Sequence, residues 1–268
     1  MKLEFFDNTA VAHLIEEYFH LAINKDDIPF RSRVLPIGLT HLFYIGKGTQ
    51  QVVVDTIERP MKGLMIAGQY FRSYEFYTNT ITSSIGVSLH PTALYKLLNT
   101  DISTLENTHI NLKKIHPKFH DKIYPIFNAS KSPKHIVKSL NTFFLNTPLT
   151  ENKTTKYIDN AITIIRNKDG MLNINEILNH IDVSQKTLET QFKKIVGLTP
   201  GKYIRLYKFI KVMRQHEKQD IDTKTLMYMF EYYDRSHFAK DFKLFMKETP
   251  QSYFKQDYPM IKAIFKNN

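Results

Sequence analysis

The sequence predicts an α+β protein: an N-terminal antiparallel β barrel- or sandwich-like domain with helices, then an all-α domain of two helix-turn-helix units joined by a long helix. Three observations carry this. Short runs rich in Val, Ile, Tyr, Phe and Thr crowd residues 39–89 and are broken by Gly and Pro. Beyond a polar stretch at 146–153 the apolar residues recur with helical spacing. In that helical region a single pattern occurs twice, 50 residues apart.

From the N-terminus, residues 11–22 form an apolar stretch compatible with either helix or strand. Runs at 39–45, 51–57, 64–67, 74–77 and 81–89 follow, punctuated by Gly38, Gly46, Gly48, Pro60, Gly63 and Gly68 as antiparallel strands would be. His90-Pro91-Thr92 opens a helix through Leu98, because the fixed φ of proline suits a first helical turn. Helical patterns continue over about 118–127 and 133–145. The polar stretch then divides the chain into expected domains at 1–150 and 151–268.

The repeat defines the second domain. Phe192-Lys193 and Thr199-Pro200 recur as Phe242-Lys243 and Thr249-Pro250, while Leu188, Phe192 and Ile195 recur as Phe238, Phe242 and Phe245. The spacing i, i+4, i+7 is one buried stripe of a helix. Ser184 and Asp234 stand where each helix needs a side-chain oxygen for its unpaired N–H groups, and each Thr-Pro stops the helix before it. Upstream, Ile177, Leu178 and Ile181 match Leu226, Met227 and Phe230 at an offset of 49, so the second turn is one residue longer. The units are expected at about 174–197 and 223–247, with a linker helix over about 201–216.

These residues closely resemble the AraC/XylS family of bacterial transcription regulators. The most specific piece is the run Tyr232-Tyr233-Asp234-Arg235-Ser236-His237-Phe238-Ala239-Lys240-Asp241-Phe242-Lys243 followed by Thr249-Pro250, and the first copy, Val183 through Pro200, is similarly typical. Asp182, Glu231 and Lys247 stand where that family usually has Gly. The resemblance implies binding to double-stranded DNA, with RNA polymerase as a further partner, a homodimer as one assembly, and no enzyme activity or cofactor. It also implies that Lys186, Glu189 and Thr190 of the first unit, and Arg235, Ser236, Ala239 and Lys240 of the second, contact bases; Gln185, Lys193, His237 and Lys243 complete the expected DNA-binding set. Arg235 and Lys240 can donate to guanine O6 and N7, and Glu189 can accept from cytosine N4. Residues 5–145, with Arg33-Val34-Leu35-Pro36-Ile37-Gly38 and Gly86-Val87-Ser88-Leu89-His90-Pro91, resemble a poorly characterised domain often found ahead of AraC-type domains. By analogy that domain senses an effector, dimerises, or both.

Charge agrees with an acidic partner. The chain carries 37 Lys and Arg against 26 Asp and Glu, and residues 184–218 alone hold nine bases and two acids. A helical module docking an acidic protein without sequence-specific DNA binding is the alternative reading of the same residues. Zero Cys removes thiol catalysis and Cys-type zinc fingers, and no apolar run suggests a signal peptide or membrane span, so a cytoplasmic protein is expected. No nucleophile elbow, phosphate loop or Rossmann fingerprint is present. His116 and His120 with His109 nearby, and His13, Glu16, Glu17 and His20 on one helical face, are the only metal-like patterns; neither completes a site, so no metal is expected. The 19 Phe and 15 Tyr read as core, with Phe192, Phe238, Phe242 and Phe245 on the repeated stripe, rather than as stacking platforms for single strands. If the first domain holds an effector, Phe43, Tyr44, Tyr70, Phe71, Tyr74 and Phe76 are candidate pocket walls. Arg33, Arg72 and His90 are then the candidate polar contacts for an anion, unless they pair with Glu75, Asp55 or Glu58.

Overall fold

The computed structural model describes residues 1–266 apart from Asp55, Ser130 and Asp220, and the backbone alone at Lys266. Its N-terminal region is an antiparallel sheet of β1 (Lys2–Phe6), β2 (Ile15–Ile23), β3 (Phe30–Val34), β4 (Thr40–Val54), β5 (Ile57–Ala67), β6 (Tyr74–Thr78), β7 (Thr82–Leu89) and β8 (His109–Asn111). The order is β1-β2-β7-β4-β5-β8, with β6 joining β3 to β4. The ambiguous stretch after Val11 is a strand, which buries Ile15, Tyr18, Leu21 and Ile23. On a strand Glu17 and His20 point to opposite faces, and Glu16 pairs with Arg166 at 3.0 Å, so the helical face read for His13, Glu16, Glu17 and His20 is corrected.

Strand β4 organises the sheet. The runs at 39–45 and 51–57 read as separate strands in the sequence, but Gly46 and Gly48 form an irregularity inside one strand instead of a turn. Before it, β4 pairs with β7 through Thr40–Lys47; after it, Gln51–Val53 pair with β6. A bulge re-aims a strand, and here it lets one strand serve both halves of the sheet. The end of the second run belongs to β5, across a turn in which Thr56 has φ 70°.

Both faces of the sheet are buried. Leu42, Leu64, Ile66, Ile85 and Val87 pack outward with Phe119, Ile123, Phe127 and Leu140 of α3 (Pro117–Phe127) and α4 (Pro133–Leu145). The alternate residues Phe43, Ile45, Met61, Met65 and Ala67 form a second cluster on the inner face. Between strands and these helices lie α1 (Ala93–Leu98) and α2 (Leu112–Ile115).

The remaining chain is helical: α5 (Lys153–Asn167), α6 (Ile174–Leu178), α7 (Gln185–Val196), α8 (Pro200–Gln219), α9 (Thr223–Met229), α10 (Arg235–Met246), α11 (Pro250–Tyr253) and α12 (Pro259–Lys266). The caps are those the sequence predicts. Ser184 accepts from the Thr187 amide at 3.2 Å, and Asp234 accepts from the His237 amide at 2.7 Å. The α5–α12 order thus contains two short-helix, turn, longer-helix units, α6–α7 and α9–α10, on either side of α8.

The three positions where glycine is usual behave differently. Asp182 does not adopt a positive φ, whereas Glu231 (49°) and Lys247 (59°) do. Lys247 ends α10 as Gly197 ends α7, each amide closing back on the carbonyl four residues earlier, Lys243 and Lys193. A side chain in the left-handed region costs about 1 kcal/mol relative to glycine. Lys247→Gly should therefore raise stability by about 0.5–1 kcal/mol, read as a higher Tm in thermal unfolding.

Candidate nucleic-acid interface

Helices α7 and α10 each separate an apolar from a polar face. Leu188 and Phe192 of α7, and Phe242 of α10, have no exposed surface, and Phe238 has 2%. On the outer side of α7 the structure brings together Gln185, Lys186, Thr190 and Lys193, with Gln185, Lys186 and Lys193 exposed; Glu189 accepts from Gln185 Nε2 at 2.8 Å. On α10, Arg235, Ser236, His237, Lys240 and Lys243 lie on the outer side with the small Ala239 between them; the His237 ring meets the edge of Tyr232 at 5.3 Å. Three aromatics, Tyr228, Tyr233 and Phe254, are exposed and escape the core reading. Tyr233, just before α10, is 93% exposed and Tyr228, in α9, is 87% exposed; their absence from the i, i+4, i+7 stripe was the available signal.

The basic segment proves divided. Lys202 pairs with Glu106 at 2.7 Å, Lys211 with Asp169 at 2.7 Å, and Arg205 binds Asp241, a residue of α10 only 3% exposed. Lys208 lies over the Tyr232 ring and Arg214 over Phe265. Five bases of α8, Lys202, Arg205, Lys208, Lys211 and Arg214, thus meet partners within the chain, while Lys218 of α8 and Lys186, Lys193 and Lys194 of α7 are exposed. Burial beside the Asp241 carboxylate pushes the Tyr232 hydroxyl well above its ordinary pKa, so it stays a donor to Asp241.

The sheet domain grips the far ends of both helices. Arg33 of β3 donates to the Met246 carbonyl at the end of α10, pairs with Glu248 at 3.1 Å and lies 3.8 Å from Glu75. A guanidinium there satisfies an orphan helical carbonyl and complements the negative end of the helix dipole. The Ser73 amide donates to the Phe245 carbonyl at 2.7 Å. At the end of α7, Gly197 sits against Gln69 and Ile102 so closely that an added Cβ would lie 3.3–3.4 Å from them.

These contacts correct the placement expected for the anion-binding residues. Arg33 faces α10 and its following loop, Arg72 is exposed, and His90 bonds the Ala12 carbonyl at 2.9 Å with Glu16 at 3.5 Å. None of the three lines the interior of the sheet domain. Of the charged alternatives, Glu75 does pair with Arg33 and Arg31; Asp55 lies outside the described residues. The interior is nonetheless hollow: a cavity of about 130 Å³ is walled by Phe43, Tyr70, Tyr74 and Phe76 among others. Tyr44 and Phe71 are elsewhere, Tyr44 against Tyr124 and Phe127 and Phe71 against Phe245. His109 belongs to the cavity with Tyr70, whereas His116 caps α3 and His120 stacks on Tyr124. No cluster of three metal-ligating side chains occurs among the described residues.

Two histidines of the cavity are held neutral. Burial pushes His41 down to about 4 and His109 down to about 3. A buried base of this kind must take up a proton on unfolding, so its stabilising share is complete above the ordinary value near 6.5 and is lost as pH falls toward 4. Lowering the pH from 7 to 5 should cost about 2 kcal/mol through His41 alone, read as a fall in chemical-denaturation midpoint that His41→Gln reduces.

Paired units of capped helices with polar outer faces define a DNA-binding protein of the transcription-regulator class. Residues 177–256 match the helix-turn-helix domain family, and residues 7–111 match a domain of unknown function, DUF6597. The C-terminal part of the chain is thus a helix-turn-helix domain of the AraC type. No curated protein matches it significantly. Among solved structures, it is similar to ToxT from Vibrio cholerae O395 bound to (E)-4-(8-methylnaphthalen-1-yl)but-3-enoic acid, at 12% identity over 90% of this chain and 97% of that one, TM-score 0.48. It is also similar to unsaturated-fatty-acid-bound ToxT from Vibrio cholerae strain SCE256, at 11% identity over 90% and 93%, TM-score 0.46. The AraC-like activator CuxR overlaps it at 13% identity over 74% of each chain, TM-score 0.26. Among the described residues, no helix is long and apolar enough to cross a membrane.

Proposed function

We propose that the protein regulates transcription by inserting α7 and α10 into successive major-groove segments on one face of a duplex, about 34 Å apart. The observation that carries this reading is that two helices of the same pattern present matched polar faces while their apolar stripes are buried. On α7, Lys186, Glu189 and Thr190 read bases, with Gln185 and Lys193 beside them. On α10 the readers are Arg235, Ser236, Ala239 and Lys240, flanked by His237 and Lys243. Arg235 and Lys240 donate to guanine, and Glu189 accepts from cytosine. Phosphate contacts supply most of the affinity and make it steeply dependent on salt.

Residues 1–150 act as the sensing or dimerising domain and 151–268 as the DNA-binding domain, with RNA polymerase a partner at the promoter. Support for coupling comes from the grip of Arg33, Ser73 and Gln69 on the ends of both DNA-reading helices, since an effector that moved the sheet would move both. Selection of bound fragments from genomic DNA tests the reading. A common duplex site enriched at moderate salt supports it, and none enriched, with retention on an acidic protein instead, overturns it in favour of the docking module.

A further inference from the structure

The positive charge of the sheet domain is concentrated in one segment. Residues 1–106 hold nine bases and eleven acids, whereas residues 107–150 hold seven Lys, no Arg and one acid, Asp121. Phe119, Ile123 and Phe127 of α3 and Ile136, Leu140 and Phe144 of α4 are buried, and the two helices lie side by side with the Phe119 and Phe143 rings 5.7 Å apart. Their outer sides carry Lys118 and Lys122 on α3 and Lys134 and Lys138 on α4, each pair one helical turn apart. Lys113 and Lys114 of α2 and Lys131 of the α3–α4 loop extend the set. All seven are exposed, and among the described residues none of their ammonium groups has an ion-pair, hydrogen-bond or ring partner. Asp121 is bonded to His120 Nδ1 at 2.9 Å.

This arrangement works against the helices that carry it. Like charges one turn apart on a helix repel. Lys118 and Lys134 each stand second in their helix, at the positive end of its dipole, and neither helix has an acid in its first turn. Cations concentrated in this way without internal partners raise the local potential and attract a polyanion. The composition of the face selects which one. A membrane-surface helix needs its apolar side for the lipid, but the apolar sides of α3 and α4 are occupied by the sheet, and among the described residues Leu145 is the one large hydrophobic side chain exposed on α2–α4. Protein interfaces are enriched in aromatics and Arg and depleted in Lys, the reverse of this face. Lysines alone, point charges without the fork that matches a base edge, suit a phosphate backbone.

We propose that the outer face of α2–α4 is a second DNA-contacting surface, which holds the backbone of duplex DNA without reading its sequence. It covers the outer face of the sheet, whereas Met260 of α12 belongs to the cluster on the inner face, so this surface is separate from α7 and α10 and takes duplex beyond the segment they hold. Each phosphate met by a lysine releases counterions, so the contact adds affinity and salt dependence and leaves base preference unchanged. The identification of that duplex as DNA flanking a regulated site rests on the regulator reading given above; backbone binding by α2–α4 does not.

Binding of the full-length protein to a duplex of about 60 base pairs and arbitrary sequence, titrated over a range of salt, tests this. The fourfold variant Lys118→Gln, Lys122→Gln, Lys134→Gln, Lys138→Gln should lower the slope of log K against log salt by about 3–4, since each lost phosphate contact contributes about 0.9. The control Lys2→Gln, Lys25→Gln, Lys47→Gln, Lys62→Gln, which removes four exposed lysines elsewhere on the sheet domain, should lower it by less than about 1. Relieved of repulsion, the first variant should unfold at the same or a higher temperature. The α4 pair alone, Lys134→Gln with Lys138→Gln, should lower the slope by about 2 and serves where the fourfold variant does not fold. An unchanged slope, a loss matched by the control, or a clear fall in Tm overturns the proposal. Binding to vesicles of phosphatidylcholine and phosphatidylserine that the variant loses, with the DNA slope unchanged, overturns it in favour of a membrane surface. Selection of a common site reports separately on the regulator reading: no site, with the slope lost as expected, removes that reading and leaves this one.

Discussion

Phe242→Ala should destabilise the protein by about 3–5 kcal/mol and abolish DNA binding by the second unit. Phe242 has no exposed surface and touches Phe209 of α8, Phe238 of α10, and Tyr253 and Phe254 in and after α11. Its ring therefore joins the DNA-reading helix to the linker helix and to the segment that leads to α12. Truncation to Ala removes these contacts and leaves a cavity that surrounding rings cannot close without leaving their rotamers. Urea unfolding followed by circular dichroism measures the loss. A change below about 1 kcal/mol would mean that Phe242 is not at the centre of this packing.

Lys186→Ala should weaken specific DNA binding by about 1–3 kcal/mol and relax preference at one base pair. Lys186 lies in the first turn of α7, exposed and with Ser184 capping the helix before it, so its removal leaves the fold intact. Competition binding with single-base variants of the selected site separates the roles. Relaxation at one position identifies a base contact. Uniform weakening over all sequences, with a reduced salt slope, identifies a phosphate contact and removes Lys186 from the base-reading set.

The region of the molecule legible in its sequence is the region whose interactions are local. The caps Ser184 and Asp234, the stripe Leu188-Phe192-Ile195 and its copy all act within one or two helical turns, and they fall where the pattern puts them. The sheet was legible as a class of structure but not in its connections. β1 and β3 are five residues each, and β3 alternates Arg31 and Arg33 with buried Phe30 and Ser32, a pattern that acquires meaning only once β6 pairs with it. Gly46 and Gly48 read as a turn because glycine permits one, and the neighbouring strands decided for an irregularity within β4.

Arg33 shows the same limit at the candidate site. Beside a predicted strand it had the chemistry to meet an anion, and it does meet Glu248 and Glu75; the closer of the two, Glu248, lies more than 200 positions away in the chain. The bases of α8 make the complementary case. Their number signalled an acidic partner, yet Lys202, Arg205 and Lys211 find theirs within the chain, whereas Lys186, Lys193 and Lys194 of α7 and Arg235, Lys240 and Lys243 of α10 are exposed.

The most direct test of two DNA-reading helices in one chain is selection from a randomised duplex pool at about 150 mM salt, with the unmodified protein and the double variant Arg235→Ala, Lys240→Ala compared. The account predicts a bipartite site whose halves lie about 10–10.5 base pairs apart, and loss of preference in one half alone for the variant. A single half-site that the variant leaves unchanged, or a pool with no common sequence, would contradict it.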